Sequence, residues 1–308
     1  MAIGPRVSIG MPVYNGERFI RAAIESLLEQ TYSDFELLIS DNASDDATRE
    51  ICLEFAKIDS RVRYSRNDRN LGAAPNYNRV FALSRGTYFK WAAHDDVCAP
   101  TFLERCVQIL ESDASVVLAH TGVSLIGEAG EITNECVESF HLTSLRPSER
   151  LLGCLLAGPW TFHPIFGVMR RDALKKTLLI QDYAGSDFVL LACLALAGKC
   201  YQLPERLFLR REHEGRGGKA TGQKMRYWWN ADNDRRFLYF NNWRRLGGYL
   251  GAIARADISA KEQAACVLHV TKWCRWFWPH LYRDIGEAAP QLPISFSLKR
   301  RGGTGGRK

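Results

Sequence analysis

Apolar and polar positions alternate in two rhythms along the first 120 residues. "RVSIGMPVY" (6–14) is a nearly continuous apolar run of strand type. "ERFIRAAIESLLEQ" (17–30) then places Phe19, Ile20, Ala23, Ile24, Leu27 and Leu28 on one helical face. The pair repeats. "FELLISDN" (35–42) predicts a strand and "DDATREICLEFAKI" (45–58) a helix with acids in its first turn, where the helix dipole favours them. "RVRYSRN" (61–67), "APNYNRVFALS" (74–84), "TYFKWAA" (87–93), "TFLERCVQILES" (101–112) and "SVVLAH" (115–120) continue as strand, helix, strand, helix, strand. From about residue 121 the rhythm loosens. "TGVSLIGEAGEIT" predicts a hairpin turning at Glu128–Gly130, "SERLLGCLLAG" (148–158) a helix and "FHPIFGVMRR" (162–171) a strand. "GSDFVLLACLALAG" (185–198) predicts a buried helix, and "CYQLPERLFLRRE" (200–212) a pair of short strands. "GRGGKATG" (215–222) reads as a flexible basic loop, and helices are expected from Gln223 to about Arg283.

Strand–helix alternation with short connections predicts an α/β fold with a mostly parallel central sheet flanked by helices. In such sheets ligands bind beyond the carboxyl ends of the strands. Tyr14-Asn15, Asp41-Asn42, Asn67-Asp68 and His94-Asp95-Asp96 fall there. No G-x-G-x-x-G follows the first strand, where "GMPVYNGE" stands, which argues against a dinucleotide enzyme.

Composition changes this picture in one respect. At 46% hydrophobic and 24% charged, the chain is of the ordinary globular kind. Its longest apolar stretch, Phe188–Gly198, falls short of the ~20 residues that span a bilayer, and no secretory signal is visible at the N-terminus. Nine cysteines without a C-x-x-C pair predict reduced thiols rather than disulfides or a zinc site. The net charge of +7, however, is split unevenly. Residues 1–198 carry 19 Lys and Arg against 25 Asp and Glu, whereas 199–308 carry 22 against 9 together with six of the eight tryptophans. Bases mixed with aromatics predict an anionic partner. No nucleic-acid module is recognisable, so nucleic acid is not expected. "VLHVTKWCRWFWPHLYR" (267–283) has apolar residues at helical spacing with interleaved bases. It suits either an anionic leaflet or a helix packed on the rest of the protein or on a second subunit.

The acids Asp95 and Asp96 in "KWAAHDDVCAP" can act together only where the strand has ended, because neighbouring strand residues point to opposite faces. Two hard oxygen donors there suit Mg²⁺ or Mn²⁺ held jointly with a diphosphate; a cap on the following helix is the alternative.

"PVYNGERFIRAAIESLLEQTYSDFELLISDNASDDAT" (12–48) and "NLGAAPNYNRVFALSRGTYFKWAAHDDVCAP" (70–100) resemble, in order and spacing, the inverting family-2 glycosyltransferases of GT-A fold. The likeness runs over about 6–215. It implies a catalytic domain at 1–215, with a nucleotide-sugar-binding half at 1–120 and an acceptor half at 121–215. A helical basic and aromatic region at 216–295 and a disordered tail at 296–308 would follow. The resemblance implies a donor site at Pro12, Tyr14 and Asn15, with Asp41 accepting from the base and Asn78 nearby, where Tyr77 stands in place of a frequent arginine. The family's D-x-D falls on Ala93-His94-Asp95, with Asp96 next, so the first acid is missing here. Asp95 is then the metal ligand, supported by Asp96 and by His213 of "LRREHEG". Arg211 lies near the diphosphate, and Asp187 is the general base. Trp160 and His163 are expected at the acceptor.

Implied partners are a nucleoside diphosphate sugar, Mg²⁺ or Mn²⁺, and a saccharide or lipid-linked acceptor. The expected place is the cytoplasm, peripheral at the inner face of the plasma membrane. Ala93 keeps a non-catalytic nucleotide-sugar-binding or scaffold protein as the alternative. "QKMRYWW" (223–229) nearly spells the Q-x-x-R-W of processive synthases, with Tyr227 in place of tryptophan.

Overall fold

Runs of Val, Ile and Leu that are apolar on both strand faces must be covered on both sides, and the chain does this with helices. A computed structural model describes residues 4–137, 139–157, 163–215, 228–231 and 240–288. Trp160, the basic loop after Gly215, residues 223–227 and the tail lie outside the described residues. Strands β1 (Val7–Val13), β2 (Phe35–Asp41), β3 (Val62–Arg66) and β4 (Tyr88–Trp91) pair in parallel, in the spatial order β3-β2-β1-β4. The first three are each followed by a helix: α1 (Ile20–Leu28), α2 (Thr48–Ile58) and α3 (Ala73–Leu83). β1 and β2 are buried at every position.

Beyond β4 the sheet continues through β8 (Val168–Arg170), which runs antiparallel to both β4 and β6 (Val116–Ile126). The strand and the first hairpin arm expected from 115 to 126 are thus one strand, because nothing in "AHTGVSLI" (119–126) forces a turn before Gly127; β7 (Ile132–Glu135) closes the hairpin. Likewise 199–211 forms a single strand, β9 (Lys199–Arg211), rather than two. Its Pro204 is accommodated by a register shift: Leu203 pairs with Thr121 and Arg206 with Gly122, so the residue that lacks an N–H falls outside the ladder. The strand expected over 162–171 is shortened by a 3₁₀ turn at His163–Phe166.

α4 (Phe102–Ser112), α5 (Pro147–Leu156), α6 (Arg171–Lys175) and α7 (Ser186–Ala197) complete the layers. Arginines close three helix ends: Arg171 donates to Ser84 O after α3, Arg170 to Leu110 O in α4, and Arg150 to Ala195 O and Leu196 O in α7. Each satisfies carbonyls that have no partner inside the helix. α8 (Asn241–Arg255) packs on α7, and α9 (Ala260–Ala288) packs on α5 and α8. Tyr249, Trp273 and Val270 thereby join the same buried cluster as the strands. Among the described residues no helix is long and apolar enough to cross a membrane.

Candidate active site

The site is assembled by one short pairing. β5 (Val97–Cys98) follows the two acids and runs antiparallel to β9, with Val97 opposite Leu209 and Cys98 opposite Phe208. Continued outward, that register brings residues 95–96 against the end of β9. There Asp96 Oδ1 accepts from the Arg211 N–H at 2.9 Å, and Asp95 Oδ2 lies 2.9 Å from His213 Nε2. The loop after β1 forms the third wall. The Phe19 ring lies 4.8 Å from that of His213, tilted 53° to it, with the Arg211 guanidinium 4.9 Å over the Phe19 ring. Gly16 lies so close to the His94 ring that a Cβ would stand 2.7 Å from Cδ2, so only glycine fits there.

Arg211 is tied into the loops around the acids. Its side chain is buried and donates to Asp95 O at 3.0 Å, Gly127 O at 2.9 Å and Glu128 O at 2.8 Å, fixing the acid loop to the β6–β7 turn. Asp41 is likewise held by its neighbours. It is 0% exposed, one oxygen accepting from the Ser44 N–H at 2.8 Å and the other from the Tyr64 hydroxyl at 2.6 Å. Asn78 is spent elsewhere: its amide donates to Ile180 O at 2.8 Å and accepts from the Ile180 N–H at 3.1 Å. Tyr14 and Asn15, by contrast, are exposed on the rim, and Pro12 is buried beneath them.

Sequence reasoning passed over what holds this rim. The β1 and β2 loops are stapled to one another: Asn15 N–H donates to Ser44 Oγ at 2.9 Å, Gly16 N–H to Thr48 Oγ1 at 2.8 Å and Glu17 N–H to Asp46 Oδ2 at 3.0 Å. In return Glu17 Oε2 accepts from the Ala47 N–H at 2.9 Å. Burial alone would raise the Asp46 carboxyl, but the Thr48 hydroxyl and the surrounding N–H groups outweigh it and hold it below its usual range. Behind them Asn42, Asn67 and Asn76 form a buried amide chain, Asn67 donating to Asn42 at 2.9 Å and to Asn76 at 3.1 Å. The signal was present in the density of Asn, Asp and Ser in "DNASDDAT" and "NDRNLG".

Lys90 was equally unforeseen. It is 0% exposed in β4, donates to Phe166 O at 2.6 Å, and lies 4.5 Å from the centre of the Phe102 ring. It thus ties the strand leading to the acids to the His163–Phe166 turn, which also packs on α7.

Asp187 stands in the first turn of α7, after Gly185 at φ 92°, a backbone angle that suits glycine. Burial pushes its carboxyl up from the usual range, while the Phe188 N–H and the charge of Arg245 pull the other way. Arg245 comes from α8 and is set 4.2 Å over Phe188, its Nε donating to Tyr249 Oη at 2.7 Å. His163 is 6% exposed. It faces His120, Phe140 and Gln202 across a cavity of about 20 Å³, too small for a sugar.

For a divalent ion, the relevant donors are the Asp95 carboxylate and the His213 imidazole, a hard oxygen and a borderline nitrogen converging within 2.9 Å. Among the described residues no three His, Cys, Asp or Glu side chains cluster to cage an ion. Two protein donors fit an ion that takes its remaining oxygens from a bound diphosphate and water.

The model for glycosyl transferase family 2 matches residues 8–178. The chain belongs to this family. Among curated family-2 glycosyltransferase relatives, it is 31% identical over 224 residues to the glycosyltransferase GlyG of Streptococcus pneumoniae, covering 68% of this chain and 71% of that one. It is 32% identical to an uncharacterized glycosyltransferase of Methanocaldococcus jannaschii over 42% of this chain and 46% of the other. The chain spans less than half the length of the first curated relatives it matches. Among solved structures, S. aureus TarS 1-349 in complex with UDP-GlcNAc superposes with TM-score 0.62 at 15% identity, covering 94% of this chain and 82% of TarS 1-349. The mannosyltransferase PcManGT of Pyrobaculum calidifontis, in complex with GDP-Man and Mn²⁺, does so with TM-score 0.52 at 19% identity, over 95% and 77%. The fold is that of the GT-A glycosyltransferases.

Proposed function

We propose that this glycosyltransferase moves a hexosyl or deoxyhexosyl group from a nucleoside diphosphate sugar to a hydroxyl acceptor, with inversion at the anomeric carbon. The observation that carries this reading is the Asp95–His213 pair at the strand-end rim, 2.9 Å apart and walled by the β1 loop. The donor complexes of TarS and PcManGT support a nucleotide sugar lying along this rim. Tyr14 and Asn15 form its exposed lip, and Asp41 orders the floor through Ser44 and Tyr64. Mg²⁺ or Mn²⁺ would be held by Asp95 and His213, with Asp96 and Arg211 fixing that loop, and when bound supplies positive charge opposite the departing diphosphate.

Asp187 takes the acceptor proton as the acceptor oxygen attacks the anomeric carbon and the bond to the diphosphate oxygen breaks. Its raised affinity for protons makes it a better base than an exposed aspartate. The 163–166 turn lies on the acceptor side. The acceptor is a saccharide or lipid-linked saccharide of the kind used to assemble envelope polysaccharide, lipopolysaccharide or glycolipid, and the reaction takes place on the cytoplasmic side. Residues 1–215 carry the chemistry, and the following helices support it.

The test is incubation with UDP- and GDP-sugars and Mn²⁺, with release of nucleoside diphosphate followed and the anomeric configuration of the product read by NMR. Release with inversion is expected. Thermal stabilisation by a donor without any release would instead establish a non-catalytic binding protein.

A further inference from the structure

Three features outside the catalytic rim invite a function: the small cavity between His120 and His163, the buried Lys90, and the outer face of α9. The first two are closed to ligands, and the third is open. Lys261, Leu268, Arg275 and Tyr282 recur every seven residues along α9, so they fall close to one line on the helix. Lys272 and Pro279 lie within the same arc. Trp276 and Trp278 flank it, and these two and Tyr282 are 61%, 54% and 65% exposed. Leu268 and Val267 add further exposed apolar surface.

The charges on this helix are sorted. Lys261, Lys272 and Arg275 face solvent. Glu262 instead is turned onto Arg146 at 3.2 Å and the Ser148 N–H at 2.8 Å. Asp284 is 6% exposed and is taken up by Asn242 at 2.7 Å. The described acids of α9 thus serve the protein interior, and its bases are left outside with the aromatics.

We infer that the outer face of α9 lies on an anionic lipid bilayer, with Lys261, Lys272 and Arg275 at the headgroups and Trp276, Trp278 and Tyr282 in the interfacial layer. Aromatic rings with one polar edge settle at that depth, and an in-plane helix needs bases rather than acids on the contact side. A second copy of the chain is the poorer occupant, because a two-fold contact through this face would set like charges against one another. This inference rests on α9 and does not depend on the catalytic reading.

The test is flotation of the full chain with vesicles of phosphatidylcholine alone or with one-third phosphatidylglycerol. Binding is expected only to the anionic vesicles, weakening as salt rises. Each of Lys261→Glu, Lys272→Glu and Arg275→Glu should weaken binding about fivefold or more, and Trp276→Ser with Trp278→Ser about tenfold. The melting temperature of each variant should stay within a few degrees of the unchanged chain, which shows that they fold. Equal binding to neutral vesicles, no binding to either, or a dimer in sedimentation velocity that the tryptophan changes dissolve would overturn the inference.

Discussion

Asp41 ends β2 and Asp95 follows β4, the two strands on either side of β1, and the fold uses the two acids in opposite ways. Asp41 is sealed: a backbone N–H and a tyrosine hydroxyl occupy its two oxygens, and no part of it meets solvent. Asp95 faces an imidazole contributed by the segment just after β9, at the place where the β1 loop closes over it. An acid that organises its own loop and an acid offered across a gap look the same in sequence. What separates them is which neighbours the register delivers. β3 brings Tyr64 to Asp41, and β9 brings His213 to Asp95.

The contrast widens with Asp187, and the largest effect is expected there. Asp187→Asn should lower kcat by about 10²–10⁴-fold while donor affinity stays within about twofold, as separate binding and turnover measurements would show. Because burial raises its pKa, the active, deprotonated form is lost at a higher pH than for an ordinary aspartate. The acidic limb of log kcat should therefore lie above about pH 4 and vanish in the variant. A limb at or below that value would remove Asp187 from the role of base.

Next in size, Asp95→Ala should cost on the order of a hundredfold in kcat/KM and abolish the response to added Mn²⁺. Undiminished Mn²⁺ dependence would place the ion elsewhere. Smaller again is Tyr64→Phe, which strips one hydrogen bond from the sealed acid. It should lower stability by about 1 kcal/mol, a few degrees in Tm, and leave donor affinity within about threefold. A tenfold loss of affinity would make the Tyr64–Asp41 pair part of the base site and erase the contrast drawn above.

A separate pH effect follows from His120, buried between Thr121 O and Phe140 O and held down to about 4 by that burial. Between the ordinary value near 6.5 and about 4, the unfolded chain binds a proton that the native protein refuses. Stability should therefore fall as pH drops through that window, by on the order of 3 kcal/mol, and His120→Gln should flatten the decline in Tm.

The parallel half of the sheet was legible because each element there is local. Period and turn residues lie within a dozen positions, so β1 to β4 and α1 to α4 could be read directly, whereas the two-residue β5 is too short to leave a pattern. The acids were legible too, but their partners were not. Arg211 and Asn78 are far in sequence from what they hold, and nothing near them announces a backbone carbonyl or a facing amide 83 to 116 positions away. Pro204 misled for a related reason. A proline reads as a strand break, yet a register shift lets one strand run through it. Lys90 carried a hint, a lone base inside "YFKWAA", although its aromatic cover comes from α4 and β9.

Arg245 has a bearing on how this protein can be cut or recombined. It reaches Asp187 from α8 and is gripped by Phe188 of α7 and by Trp273 and Phe277 of α9. A boundary drawn where composition changes, near residue 215, would carry away the charge that tempers Asp187, the proposed base. Grafting only the first two-thirds onto another scaffold would transplant the acids without the electrostatic setting that surrounds Asp187. The smallest transferable cassette therefore extends through α9.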